Sequence, residues 1–342
     1  MARWQWLTAG AVAAAAGAAT ASSIVLLAQR FVNELSRPGV SLDEATMGGW
    51  VVPQAVDEPP IECRRQLEFV ASDGTDLRGE FWAQPQPAAT IVICHGYRAS
   101  REHLRPVAAL EHANGCNVLL FDFRGHGESA QIATSGGNAE VRDLTAALDI
   151  ASQQPETLRQ RLYIHGFSMG AAVALLLSPR ADIAGIIADS PYARLDDILS
   201  HLVTWQLTTE SAGWPKPLQR LRAGFPALGR VTFFASDLLF RLRFHHPLRA
   251  RPERQVRRYG VRPRGRHRET MLAARHRPPL LLIHSLRDPF IQVDHAFRIA
   301  RAALAGHVPV ELHFADSDIH CGAYGRDPEQ YVSLVRRFIA QA

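Results

Sequence analysis

Ser168 sits in Gly166-Phe167-Ser168-Met169-Gly170, a G-x-S-x-G sequence. It directly follows an apolar stretch, Leu162 to His165, and precedes the small residues Ala171-Ala172-Val173-Ala174. In a strand-to-helix turn this spacing exposes a serine hydroxyl on a tight, strained corner, and the flanking glycines let the chain bend there. The start of the following helix favours developing negative charge. The chemistry expected of such a serine is nucleophilic attack on a carbonyl. A hydroxyl needs a base for that step. His320, in Asp316-Ser317-Asp318-Ile319-His320-Cys321-Gly322, follows the last apolar run and precedes the last helical one, so it is the expected base. The base in turn needs a carboxylate to fix its tautomer and support the imidazolium. Asp288 leads here, with Asp316 and Asp318 as rivals. The order Ser168, Asp288, His320 matches one known chain order for this chemistry. Two backbone N–H groups should bind the oxyanion: that of Met169, after the nucleophile, and that of Tyr97, after His95-Gly96.

The remaining histidines among the chain's 15 are mostly bystanders. His165 and His284 end apolar runs and are expected to be structural. His313 falls inside a run, and His95 should brace its turn. The proposed course needs no metal and no organic cofactor. Cys63, Cys94, Cys116 and Cys321 form no CxxC pair and match no metal spacing. Cys94 lies in an apolar run and reads as a buried free thiol.

These groups must be positioned by a sheet. Gln66–Val70 and Leu77–Ala83 flank Ser72-Asp73-Gly74, a hairpin signal. Short apolar runs follow at Thr90–Cys94, Val118–Phe121, Leu162–His165, Ile183–Ala188, Leu280–His284 and Val310–Phe314. Helical periodicity falls between them, at Arg101–Asn114, Asn138–Ala151, Met169–Leu177, Val293–Ala305 and Glu329–Ala340. Such alternation predicts a mainly parallel sheet with helices on both faces. Each candidate group follows the carboxyl end of a strand, where open α/β sheets place their sites. The stretch of about 191–279 interrupts the rhythm and reads as a cap or insertion after the sixth strand.

The chain has 342 residues, is 47% hydrophobic and carries a formal charge of +5. That suffices for one large core, expected over residues 63–342 behind a linker at 31–62. Lys216 is the only lysine. Arginines crowd the segment 241–277, against only Glu253 and Glu269. The segment could face anionic lipid, an anionic substrate or nucleic acid, or be a solvated excursion. No nucleic-acid module accompanies it, so a nucleic-acid partner is not expected. Leu7 to Ala28 is an uncharged run of 22 residues, long enough to span a bilayer as one helix. A membrane anchor over residues 1–30 is the expectation, in a single-pass bacterial membrane protein. A cleaved signal, giving a secreted or periplasmic protein, and a soluble helix are the alternatives.

With these residues in place, the chain from about Leu67 to Ala342 resembles bacterial α/β-hydrolases near the serine aminopeptidase branch and the membrane-tethered lipid hydrolases. The matching elements are His95-Gly96-Tyr97-Arg98, Asp122-Phe123-Arg124-Gly125-His126-Gly127-Glu128-Ser129, the elbow at Gly166–Gly170, Asp288 and His320. The resemblance implies an α/β-hydrolase fold with an eight-stranded sheet. It also implies that Asp122–Ser129 is a structural loop near the elbow, and Asp189-Ser190-Pro191 a structural turn. Ser285 departs from the glycine that many relatives carry after the strand-ending histidine. The arginine-rich piece from Arg249 to Arg277 is a second departure. The expected function is a serine hydrolase cleaving small-molecule carboxylic esters, lipid-like ones among them. An aminopeptidase or amidase using the same triad, and a non-catalytic binding protein of the same fold, are the alternatives.

Overall fold

The computed structural model describes Ser22 and residues 24–38, 57–213, 215–259 and 277–341. The described chain opens with a helix, α1, at residues 24–36. Two strands follow, β1 (Arg64–Val70) and β2 (Asp76–Trp82), then β3 (Ala88–Cys94), α2 (Arg105–Ala113) and β4 (Asn117–Phe121). Next come α3 (Glu140–Ser152), β5 (Thr157–Phe167), α4 (Met169–Leu176) and β6 (Ile183–Asp189). The helices α5 (Leu195–Glu210), α6 (Lys216–Gln219), α7 (Phe225–Phe244) and α8 (Pro252–Arg258) precede β7 (Leu280–Ser285). The chain closes with α9 (Asp294–Ala305), β8 (Val310–Ala315), α10 (Ala323–Arg326) and α11 (Pro328–Gln341).

The strands form one eight-stranded sheet in the order β1-β2-β4-β3-β5-β6-β7-β8. β2 is antiparallel to both of its neighbours, β1 and β4, and the remaining pairs are parallel. The expected strand runs fall within these strands, except that the run Leu77–Ala83 extends one residue past the end of β2 at Trp82. β5 starts at Thr157, ahead of the apolar signal at Leu162, because its first residues are half-buried or exposed.

Period-two alternation sorts the buried side chains onto two faces. Val92, Cys94, Leu119, Phe121, Ile164, Leu280 and Leu282 point to one face. There they meet Leu144 and Leu148 of α3, Val173 of α4, Val256 of α8 and Ile299 of α9. Ile91, Ile93, Val118, Leu120, Tyr163, Leu281 and Ile283 point to the other, against Val107 of α2 and Leu334, Val335 and Phe338 of α11. Burying each such side chain contributes roughly 1.5–3 kcal/mol. The sheet is therefore a stiff plate sealed on both faces, and its strand ends are fixed points.

The chain forms two compact units, one of residues up to Ser36 with Asp196–Arg249, the other of Arg37–Leu195 with Ala250–Ala342. The larger holds the sheet. Its core includes Val256 and Tyr259, so the chain has rejoined it by α8. In the smaller unit α7 buries Phe225, Phe233 and Phe240 on one side. Val231, Phe234, Leu238 and Leu242 are exposed on another. Among the described residues no helix is long and apolar enough to cross a membrane. Most of the expected span Leu7–Ala28 lies outside the described residues, as does 260–276 of the arginine-rich segment. Within the described part of that segment, Arg241 and Arg249 both pair with the buried Asp237.

Candidate active site

Ser168 stands between β5 and α4, with φ 52° and ψ −112°. A non-glycine residue in that region carries strain of roughly 1–3 kcal/mol. Local bonds hold it there. The Ser168 N–H donates to the Asp189 carbonyl at 2.8 Å, and the Ser168 carbonyl accepts from the Ala172 N–H at 3.0 Å. Gly170 has to be glycine: a Cβ there would lie 2.3 Å from the Cys94 carbonyl oxygen and 2.6 Å from that of His95. The elbow thus presses directly on the turn after β3.

His320 follows β8 and Asp288 follows β7, so parallel pairing of these strands brings both toward the end of β5. His320 Nε2 lies 2.8 Å from the Ser168 hydroxyl, and Nδ1 lies 2.6 Å from Asp288 Oδ2. Asp288 Oδ1 accepts the N–H groups of Phe290 and Ile291, both at 2.9 Å. Burial alone would raise the Asp288 carboxyl, but the hydrogen bond and charge of His320 and these two amides hold it below its ordinary range. The Asp288 side chain is fully buried while the imidazole keeps 18% exposure. The arrangement is an inward anion, a half-covered base and a hydroxyl at the sheet edge.

The rival carboxylates lie elsewhere. Asp316 is exposed and pairs with Arg287 at 2.5 Å, and Asp318 is exposed. Tyr97 stands in the turn after β3 and Met169 is the first residue of α4. His95 braces this turn: its Nδ1 lies 2.7 Å from the Gly96 carbonyl, and its Nε2 accepts the Phe123 N–H at 3.0 Å. Burial holds its imidazole well below the ordinary histidine range. His126 Nε2 accepts the Arg98 N–H at 3.2 Å. The Asp122–Ser129 loop is a support: Asp122 accepts the Arg101 N–H at 2.7 Å, and Arg124 pairs with buried Asp143. His284 Nε2 bonds the Ile291 carbonyl at 2.8 Å and so holds the Asp288 loop.

The sequence carried no signal for the Phe290 contact, and marked Asp189 only as part of a turn. The Phe290 ring meets the His320 ring edge-on, with centroids 5.8 Å apart, and gives the base an apolar neighbour. Asp189 is a buried carboxyl behind the elbow. The four cysteines are free, and burial raises the Cys94 and Cys321 thiols far above their ordinary range. Among the described residues no cluster of His, Cys, Asp and Glu is arranged to hold a metal ion.

Known proteins share this architecture. A family model described as serine aminopeptidase, S33, matches residues 85–248. The chain is 28% identical over 271 residues to the uncharacterized protein YqkD of Bacillus subtilis, spanning 78% of this chain and 76% of YqkD. It is 32% identical over 113 residues to the thiohydrolase aneE of Aspergillus aculeatus, which is 32% of this chain and 36% of that protein. The solved esterase Pf2001 of Pyrococcus furiosus aligns at a TM-score of 0.59 and 26% identity, over 84% of this chain and 96% of the esterase. With its sheet order and strained strand-to-helix elbow, the chain is a hydrolase that belongs to the α/β-hydrolase superfamily.

Proposed function

We propose that the chain is a serine hydrolase of carboxylic esters, with Ser168 as nucleophile, His320 as general base and Asp288 as the orienting acid. The observation that carries this reading is the unbroken bridge from the Ser168 hydroxyl through His320 to Asp288, at 2.8 and 2.6 Å. Ser168 Oγ attacks the acyl carbonyl while His320 Nε2 takes its proton, and Nδ1 keeps its own proton, donated in a hydrogen bond to Asp288 Oδ2. The backbone N–H groups of Tyr97 and Met169 receive the oxyanion. The imidazolium then protonates the departing alkoxide, leaving an acyl-enzyme. Water, deprotonated by the same imidazole, releases the acid and restores the serine. No step calls on a metal or organic cofactor.

The substrate proposed is a small-molecule ester with an apolar, lipid-like acyl group. Phe290 against the base and the esterase likeness support it. A membrane location through residues 7–28 belongs to the same proposal. It is supported by the uncharged run and by the exposed apolar face of α7, where Arg230 and Arg241 are also exposed. Amide hydrolysis is the second reading, favoured by the description of the matching family model. A panel of p-nitrophenyl esters, thioesters and aminoacyl amides, with fluorophosphonate labelling of wild type and Ser168→Ala, separates the two. Ester turnover and labelling that vanish in the variant are expected. Labelling that persists in Ser168→Ala would overturn the assignment, and turnover of amides alone would overturn the ester reading.

A further inference from the structure

Ser285, the last residue of β7, is fully buried and takes no part in the steps above. It pairs with Ala315, the last residue of β8. Beyond that pair one loop carries Asp288 and the other carries His320. The two loops are tied where they begin. The Leu286 N–H donates to the Ala315 carbonyl at 2.9 Å, and the Arg287 N–H to the Ser317 carbonyl at 3.0 Å. On the outside, exposed Arg287 pairs with exposed Asp316. All of these ties come before Asp288 in one loop and before His320 in the other.

Ser285 adds a tie on the far side of the base. Its carbonyl accepts the Asp288 N–H at 3.3 Å. Its hydroxyl accepts the N–H of Gly322, two residues after His320, at 3.2 Å. One residue thus holds the backbone of the acid and, through its side chain, the end of the turn that carries the base. That turn is tight. The Gly322 N–H is shared with the Ile319 carbonyl at 3.1 Å, the Ile319 N–H meets the Ser317 hydroxyl at 3.1 Å, and Cys321 sits at φ 53°. A Cβ on Gly322 would lie 2.4 Å from Ser317 Oγ. Those contacts shape the turn from within. The Ser285 hydroxyl joins it to the strand that carries the acid, and the glycine that many relatives have at this place offers no such group.

We infer that Ser285 is a positioning residue for His320: its hydroxyl clamps the turn of the base to the loop of the acid, so that the imidazole stays in line between Ser168 and Asp288. The inference rests on the triad reading. The imidazole has to meet Ser168 at 2.8 Å and Asp288 at 2.6 Å together. A misplacement of about 1 Å in such an arrangement can cost about 10²-fold in rate. Stability is not what the clamp chiefly supplies. The Gly322 N–H keeps the Ile319 carbonyl when the hydroxyl is removed, so no buried donor is stranded.

Two variants of the full chain test this, assayed for kcat and KM on a soluble p-nitrophenyl ester, with melting temperatures alongside. Ser285→Ala removes the hydroxyl. It should lower kcat about tenfold, part of the loss that a 1 Å misplacement can cause, with KM and the melting temperature unchanged. Ser285→Cys fills the same place with a weaker acceptor, so its kcat should also stay below wild type. The same Ser285→Ala change is then made in a His320→Ala chain. A residue that acts through the base has nothing left to position there, so residual turnover should not fall further. Wild-type kcat in Ser285→Ala would overturn the inference. So would full recovery in Ser285→Cys, a kcat loss that tracks a lower melting temperature, or an equal loss in the His320→Ala chain, each the mark of a packing role. The two readings fail separately. If His320→Ala is inactive while Ser285→Ala matches wild type, only the inference fails. If His320→Ala keeps wild-type turnover, the triad reading fails and the inference with it.

Discussion

At the residue scale, the proposed role of Asp288, to turn a hydroxyl and an imidazole into a reactive pair, rests on its being both buried and fully bonded. Two backbone amides and His320 surround its oxygens, so the charge has nowhere else to go. Asp288→Asn replaces the acceptor of the Nδ1–H and favours the wrong tautomer of His320. Turnover of a p-nitrophenyl ester should fall by about 10⁴-fold, as seen when such a carboxylate is neutralised. Ser168→Ala should lose at least as much, and combining the two should add little, since residues that act as a unit do not contribute additively. The carboxyl also links activity to stability. It is held below its ordinary range, so its contribution is present above the unfolded value of about 4 and is lost as pH falls through its folded value. Urea unfolding of wild type and Asp288→Asn at pH 7 and pH 3 should show a stability gap at the higher pH that narrows at the lower.

At the element scale, the site depends on loops braced against rigid strand ends. Arg124, nearly buried, reaches Asp143 of α3 through Nε at 3.0 Å and Asp73 of the β1–β2 turn at 2.8 Å. Arg124→Met should destabilise the fold by about 3–5 kcal/mol, because it strands Asp143 as an unpaired charge in the core. Adding Asp143→Leu should recover part of that loss in the same urea titration. Gly170→Ala drives a methyl group into the Cys94 and His95 carbonyls, both backbone and unable to swing aside. A loss on the order of 3 kcal/mol is expected, at the upper end for overpacking. The turn that carries Tyr97 should shift with it, so activity should fall even where the fold survives.

The same scale explains what could be read from the sequence. Ser168, Asp288 and His320 each follow an apolar run that alone suffices to mark a strand, so their convergence needed only parallel pairing. The structural part of the Asp122–Ser129 loop was legible only through the family resemblance of its motif. Asp189 entered only as part of the turn Asp189-Ser190-Pro191 that the same resemblance implies, because it ends an ordinary buried strand. Its partners Tyr331, His165 and Glu111 lie far away in sequence, and only the folded sheet brings them together. The edge of the insertion was equally hidden. Arg251, Arg254, Arg257 and Arg258 read as a polar excursion, yet Val256 and Tyr259 among them belong to the main core. Two apolar residues in an arginine-rich segment give no periodic signal.

At the scale of the whole molecule, the smaller unit holds the question of location. Its described start, residues 24–36, continues the uncharged run Leu7–Ala28 and buries Ala28, Val32 and Leu35. α7 presents Val231, Phe234, Leu238 and Leu242 outward at intervals of three and four residues, one continuous stripe on a helix. Such a stripe, with the Arg249 guanidinium over its Phe234 ring, suits an interface with acyl chains and their headgroups. The run itself is rich in alanine, so its preference for a bilayer is modest and should yield to few charges. An arginine near the middle of a spanning helix costs about 2.5–3.5 kcal/mol. Full-length chain expressed in a bacterial host should therefore sediment with membranes and resist carbonate extraction. The double variant Ala14→Arg with Ala18→Arg should appear in the carbonate supernatant and retain turnover of a soluble ester. If both chains stay in the supernatant, the tether is wrong. If both resist extraction, the hold on the membrane lies outside residues 7–28, and the α7 stripe is the place to substitute next.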